Sequence, residues 1–485
     1  MFKKSRYLLI IFLGLILQDA ASQNSQVLYY MNLPQNHLLN PALRPSNSFY
    51  LGLPALTGIN VNINNNFVNF SDVFMKGKDS IITILHPDYN VDNFIKKLKE
   101  SNFITPEVNI QLFSLGFNAG KDLYIFLDVT DRVNGNFVLP LDFFKLALKG
   151  NEEFLGKTID LSTLDAKATY YREFGLGFSK NIGSNLRIGA KAKLLFGLAD
   201  FSIVNRSLGL TVNNDYTYSL NADLSANLSG PVKVHFNSKN QPDSIKIDDK
   251  VLKSTEFFLN TQNRGFGLDL GAVYKIADRI QVSASITDLS FIRWKKDVTN
   301  LKAESQFFFR GFNISDVIAG TMTIDSLAQI MLDSLKNSFT FTDNYKAYTT
   351  YMPFGFSAGA SFNLTKSISL GVLSHTIFFG KQIREALTMS ANLNLGNAFS
   401  TSLSYTAENN RYDNLGAGLA FRAGFFQFYF IADRIPVTWN KIVTNNASIP
   451  LPYSWNTINL RLGMNLVFGN KVKRKSDKPM LPEQK

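Results

Sequence analysis

Residues 216–228 read YTYSLNADLSANL, and the alternation along that line decides the fold. Tyr216, Tyr218, Leu220, Ala222, Leu224, Ala226 and Leu228 share one parity. Thr217, Ser219, Asn221, Asp223, Ser225 and Asn227 share the other. Successive side chains of an extended chain point to opposite faces, so this is a strand with one apolar and one polar face. The period recurs at 457–468, where Ile458, Leu460, Leu462, Met464, Leu466 and Phe468 alternate with Thr457, Asn459, Arg461, Gly463 and Asn465. It recurs again through Leu186–Leu194, Phe266–Tyr274 and Ile59–Ile63. Strands of globular proteins average about 5–6 residues, whereas about 9–11 tilted residues cross a bilayer; the longer runs here fit the second length. Small residues dominate the polar face and bulky ones the apolar face. That is the pattern of a transmembrane β-barrel, apolar towards lipid and polar towards the interior.

Connection lengths make a second, independent argument. Short turns are expected at 119–121, 181–185, 275–279, 365–367, 396–398 and 423–424, and longer connections at 64–106, 133–168, 229–263, 292–352, 406–414 and 434–456. Short turns at one end and long loops at the other match the periplasmic and extracellular ends of a bacterial barrel. Counting this way gives an all-β fold, a single antiparallel transmembrane barrel of about 14–16 strands. The number falls towards 14 if one or both of the runs near 50–64 and 200–210 are not transmembrane. Three loop stretches read as helical: 91–100, 141–149 after Pro140, and 326–337 capped by Asp325.

Composition agrees. The chain has 485 residues, 45% hydrophobic and 18% charged, with 42 Phe, no Cys and a net charge of +12. Mean hydropathy is −0.03. Such a value excludes a bundle of transmembrane helices, and the apolar content excludes wholesale disorder. Absent Cys excludes disulfides, thiolate metal sites and a cysteine nucleophile. Many Phe residues in a chain of neutral hydropathy are what two-faced strands produce, each strand having two solvents.

Residues 1–22 are expected to be a signal peptide. Lys3, Lys4 and Arg6 precede an apolar core at Tyr7–Leu17, and Ala20 and Ser22 suit cleavage before Gln23. The barrel is expected over 23–469, with 23–48 as a plug segment, and 470–485 as a basic periplasmic tail carrying Lys471, Lys473, Arg474, Lys475, Lys478 and Lys485.

Chemistry is sparse. His37, His86, His235 and His375 sit in no metal-ligand spacing, and Ser374 and His375, being adjacent on a strand, face opposite ways. No catalytic, cofactor-binding or metal-ligating set is read, no cofactor is expected, and substrate-binding residues stay unassigned; an enzyme is not expected. Arg187, Lys191, Lys193, Asp223, Asp269, Arg422 and Arg461 fall on polar faces and are placed in the lumen. Trp294 and Tyr274 are assigned to the interfacial aromatic girdle. Phe307, Phe308, Phe309 and Phe312 lie in the longest loop. They are expected to fold back on helix 326–337; the competing readings are a hydrophobic entry groove and a docking site.

Several segments carry a family resemblance: MNLPQNHLLNPALRP (31–45), FYLGLPALTGINVNINN (49–65), YYREFGLGFSKNI (170–182), GFGLDLGAVYKI (265–276), ASITDLSFIRW (284–294), YDNLGAGLAFRAGFFQFYFIADRI (412–435) and NLRLGMNLVFG (459–469). The chain resembles an uncharacterised domain family of Bacteroidota outer-membrane barrels, of the fatty-acid-transporter-like (FadL-type) and PorV-type kind. Asn40-Pro41-Ala42 is similar to the NPA of the N-terminal plug in FadL-type barrels; an ordinary turn before the first strand is the competing reading. The resemblance implies the outer membrane of a Gram-negative cell and passive transport or binding of hydrophobic or small solutes. The alternative it implies is a non-transporting scaffold that docks secretion or surface-attachment machinery. Expected partners are outer-membrane lipid and lipopolysaccharide, the barrel-assembly machinery during biogenesis, and a hydrophobic ligand or a secretion-system protein. Nucleic acid is not among them.

Overall fold

The computed structural model describes residues 26–469, except 77–80, 85, 216, 239–240, 311–328, 330–332, 336, 381, 397, 409–410, 437–438, 445–446 and 453–456. The expected signal peptide and basic tail lie outside the described residues, as does most of the helix expected at 326–337.

Fourteen antiparallel strands close into one barrel. In chain order they are β1 (Phe49–Gly52 and Gly58–Asn65), β2 (Ser101–Asn118), β3 (Leu123–Pro140), β4 (Asp165–Ile182), β5 (Leu186–Val212), β6 (Arg264–Ala277) and β7 (Ile280–Trp294). They continue with β8 (Tyr348–Tyr351 and Phe354–Asn363), β9 (Ile368–Phe379), β10 (Gln382–Leu395), β11 (Phe399–Glu408), β12 (Arg411–Ala423), β13 (Phe426–Ile435) and β14 (Thr457–Phe468). Each pairs with its neighbour, and β14 returns to β1 through Phe49↔Phe468 and Ile59↔Leu462. Closure removes both sheet edges, so no unpaired backbone faces lipid along the wall.

The six expected short turns all occur, and all lie at the end where β1 begins and β14 finishes. Glycines serve them where the chain must take a left-handed conformation, as at Gly183 (φ 64°) and Gly424 (φ 63°). At the other end β9 and β10, and β11 and β12, are joined by only two residues each, 380–381 and 409–410. The longer connection expected at 406–414 is thereby corrected, while the remaining connections there carry structure of their own. Helix Leu141–Lys149 follows Pro140 as its sequence suggests, and Val91–Ile95 forms a shorter helix than expected. Phe94 and Leu98 from that loop are covered by Phe144 and Leu148 of the longer helix.

Burial is inverted relative to a soluble domain. Leu176 (58%), Phe266 (56%) and Leu403 (64%) are among the exposed residues, while Lys191, Asp269 and Asn465 are each 1% exposed or less. Six outward apolar residues follow one another on β6, from Phe266 to Ile276. Ten residues rise about 33 Å along a strand, which at a tilt of about 40° makes the apolar band about 25 Å tall.

Four further expectations about the strands and their aromatic residues are corrected. The run near 200–210 is not a separate strand but the upper half of β5, which is 27 residues long. The stretch that revealed the alternation is a strand over Tyr218–Ser229, but it lies outside the wall. It pairs with the upper half of β5 on one side and with strand Val298–Phe309 on the other, forming a sheet above the rim. A two-faced rim sheet has the same period as a wall strand, so alternation alone cannot separate them. Phe307–Phe309 belong to that rim sheet rather than to a loop: Phe307 stacks on Phe309, and Tyr218 lies across from Phe309.

Trp294 is fully buried and faces inward, not into a girdle. A β-bulge causes this. Asp269 of β6 faces two residues of β7, Thr287 and Asp288, so pairing moves from Leu270↔Ile286 to Leu268↔Leu289. Asp288 carries φ 63°. Below the bulge even-numbered residues such as Ile286 face outward. Above it Leu289 and Phe291 do, and Trp294 turns in among Tyr171, Leu195 and Met352. Tyr274, below the bulge, does face outward at 47% exposure.

Candidate functional site

The lower lumen is filled by the chain's own N-terminal segment. Residues 26–48 run inside the barrel as two short 3-10 turns, Gln26–Tyr30 and Pro34–Leu38. Val27, Leu28, Met31 and Leu33 pack on Ala420, Tyr429 and Ile431 of β12 and β13. Polar contacts reach around the wall. The Val27 amide donates to Asp433 (2.8 Å), Gln35 exchanges two hydrogen bonds with Asn465 (2.7 and 3.0 Å), and Ser285 donates to the Leu39 carbonyl (2.8 Å). At Asn40-Pro41-Ala42, the Asn40 carboxamide oxygen accepts from the Ala42 amide at 2.9 Å while its nitrogen donates to Tyr29 and to the Ala284 carbonyl. The wall makes room with glycine. A Cβ at Gly189 would overlap the Pro41 backbone, and one at Gly271 would overlap the Asn40 side chain.

Above this segment lies a buried charge network. Asp128 (β3) receives His37 Nε2 at 2.8 Å and Lys191 Nζ at 3.2 Å. Lys191 also reaches Glu173 at 2.9 Å. Lys193 lies 2.7 Å from Asp269 and 2.6 Å from Asp288. Arg132 stands 3.0 Å from both Glu173 and Asp288. His37 Nδ1 faces the Pro34 carbonyl at 2.6 Å, which only accepts, so Nδ1 carries a proton. Four acids thus alternate with three bases, and His37 contacts Asp128 at one end of the chain. Unpaired, each of these buried charges would cost several kcal/mol, so the network holds only as a set. It ties the N-terminal segment, through His37, to five adjacent wall strands.

Three cavities then rise in succession to the outer mouth. The lowest, about 50 Å³, touches Leu38 and Leu39 and reaches Glu107, Arg132 and Asp288. The next, about 60 Å³, shares those three residues and adds His375 and Arg384. The third, about 360 Å³, shares Asn134, Gly135, Pro353 and Phe379 with the second and sits at the mouth. The lower two hold only a few water molecules each, while the mouth is large enough for a small organic molecule.

The lining of the mouth cavity is mixed. Tyr348, Tyr351, Met352 and Phe379 contribute rings and apolar surface, while Asn136, Lys167, Thr169, Asp200, Ser202 and Asn227 contribute polar groups. Asp200 is fixed by three hydroxyls, those of Thr169 (2.7 Å), Tyr348 (2.9 Å) and Thr350 (3.2 Å). Trp294 stacks behind Tyr348 and donates to Thr350 at 3.0 Å. At the neck below, the Arg384 guanidinium lies between the rings of Phe103 (3.9 Å) and Phe379 (4.2 Å) and donates to Asn136 at 2.8 Å. His375 bonds Ser357 across the strand pair at 2.7 Å, not its neighbour Ser374, which donates to Glu385. His375 Nε2 has no hydrogen-bond partner and borders the second cavity.

Of the charges expected in the lumen, Lys191, Lys193 and Asp269 meet in the network, and Arg461 lines the lowest cavity. Arg187 bonds Asn181 near the lower end, and Arg422 caps the Gly424 and Val467 carbonyls there. Asp223 is corrected: it lies in the rim sheet, 3.8 Å from Arg206. Asp128, Arg132, Glu173, Asp288 and Arg384 were not singled out by the sequence reading, and His37 was read there only as lying outside any metal-ligand spacing. Parity held the signal for two of them, since Tyr124, Phe126, Asp128, Thr130 and Arg132 share one face of β3. Among the described residues no group of three or more acidic or His side chains could hold a metal ion.

A family described as "Family of unknown function (DUF5723)" matches residues 41–433. A FadL homologue of Pseudomonas aeruginosa aligns over 94% of this chain and 97% of its own, at 11% identity and a TM-score of 0.40. The Ralstonia pickettii toluene transporter TbuX aligns over 93% and 97%, at 9% identity and 0.39. The Pseudomonas putida toluene transporter TodX aligns over 93% and 98%, at 9% identity and 0.40. No curated protein sequence matches the chain.

Proposed function

The chain belongs to this family of unknown function, and we propose that it is a passive entry route for a small solute across the outer membrane of a Gram-negative cell. One observation carries the reading. Three cavities that share lining residues lead from the outer mouth to Leu38 and Leu39 of the N-terminal segment. The mixed apolar and polar lining of the mouth suits a solute that carries both an apolar surface and polar groups. Beyond the neck the cavities are too small for such a molecule, so passage requires the N-terminal segment or the Arg132–Asp288 pair to shift. The segment then acts as a plug that keeps ions out between passages. Docking of a secretion machinery has no comparable feature among the described residues.

The test uses liposomes that enclose a β-glucosidase and bathe in p-nitrophenyl glucoside, a molecule with a ring and a polar end that bilayers exclude. The full chain should raise nitrophenol release above that of protein-free liposomes. Ser202→Trp, which fills the mouth, should lower it. Removal of residues 26–40 should raise both release and ionic conductance. If neither the full chain nor the shortened one exceeds protein-free liposomes, the reading fails.

A further inference from the structure

The outer wall carries a feature that solute passage leaves unused. Arg264 and Arg293 face each other directly across β6 and β7. Both are exposed, and Lys295, which immediately follows the end of β7, is exposed as well. Like charges placed opposite each other on a sheet repel. Among the described residues none of the three lies within ion-pair distance of a carboxylate. The nearest acid along the same register row, Asp131, is already held by Arg172 in a two-pronged pair (2.6 and 2.8 Å). Single hydrogen bonds steady the two guanidinium groups: Arg264 Nε to the Thr261 carbonyl and Arg293 to the Thr349 hydroxyl. Each arginine has five N–H donors, so most remain unused.

Position identifies what fills them. The pair sits immediately above the lipid-facing band. The next register row down is Phe174, Leu194, Phe266, Phe291 and Tyr351, and below it come Leu176, Leu268 and Leu289. Tyr351 is 79% exposed and Phe266 56%. A cationic row on top of an apolar band matches a molecule with an anionic head and hydrocarbon chains. A soluble acidic protein could meet the cations but would leave the apolar band beneath them unmatched.

We propose that Arg264, Arg293 and Lys295 bind the phosphate of an outer-leaflet phosphoglycolipid whose acyl chains lie on the band formed by Phe266, Leu268, Leu289 and Phe291. Bound phosphate turns the arginine–arginine repulsion into two charge-assisted contacts. Lipid held at this rim would also fix the height of β6 and β7 in the membrane, and with it the bulge at Asp288.

The full chain in detergent micelles is titrated with diphosphoryl lipid A, and bound copies are counted by native mass spectrometry. R264Q/R293Q should weaken binding about tenfold or more, since each lost guanidinium removes a charge-assisted contact. Lipid A stripped of phosphate should bind no better to the wild type than to this variant. K121Q/K366Q, which removes two exposed charges at the opposite rim, should bind like the wild type. Retention of the slow-migrating unheated band on gels confirms that each variant is a closed barrel. The proposal is overturned if R264Q/R293Q binds as the wild type does, if phosphate-free lipid A binds equally well, or if K121Q/K366Q loses as much.

Discussion

Asp128 shows how much a single lumen residue carries. It is fully buried, and its carboxylate takes His37, Lys191, Gln111 and Ser114 at once, the last two at 2.8 and 2.7 Å. Asp128→Asn keeps the shape and removes the charge. Lys191 then leans on Glu173 alone, and His37 faces an amide. Breaking one partner out of a buried ion set costs about 3–5 kcal/mol, so the variant should unfold at markedly lower temperature in detergent. His37→Gln in the same background should recover part of the loss, because it removes the group left facing the amide. A double-mutant cycle read by thermal unfolding checks this; additive losses would mean that His37 and Asp128 are not coupled.

At the scale of elements, the wall is a period-two object interrupted by bulges. The bulge at Thr287–Asp288 switches which parity of β7 faces lipid. Deleting Thr287 removes the extra residue and shifts everything above it by one. Ile292 and Trp294 would then point into lipid, and Phe291 and Arg293 into the lumen. The expected outcome is loss of the heat-modifiable barrel band, whereas Thr287→Ser, which keeps the residue count, should retain it. The same bulge explains what was and was not legible in the sequence. Strand parity, the six short turns and helix 141–149 are local, so periodicity and turn chemistry reveal them. The inward turn of Trp294 depends on a register slip between β6 and β7, which no local pattern encodes. The Ser357–His375 bond and the cage around Arg384 likewise come from pairing across strands. The network was half legible: parity placed Lys191, Lys193 and Asp269 inside, but their partners on β3, β4 and β7 are set by barrel closure.

For the molecule as a whole, the question is where lipid ends and water begins, because equal exposure means different things on either side. Leu270 (46% exposed) lies midway along the outward row of β6, inside the apolar band. Tyr345 (68% exposed) lies above the rim, just before β8. Ranked by exposure alone, Tyr345 would be the less dispensable apolar group to leave uncovered. Ranked by solvent, the order reverses. Arginine on the lipid face near the bilayer midplane costs about 2–4 kcal/mol, whereas substitution at an exposed position in water usually changes stability by less than about 0.5 kcal/mol. Leu270→Arg should therefore destabilise the chain folded into phosphatidylcholine vesicles by the larger amount, and Tyr345→Arg should leave it nearly unchanged, both measured by urea titration. In detergent micelles, which deform around a charge, the gap between the two should shrink. Equal effects in vesicles would put the membrane elsewhere on the barrel and remove the frame in which Arg264 and Arg293 sit at the lipid headgroups.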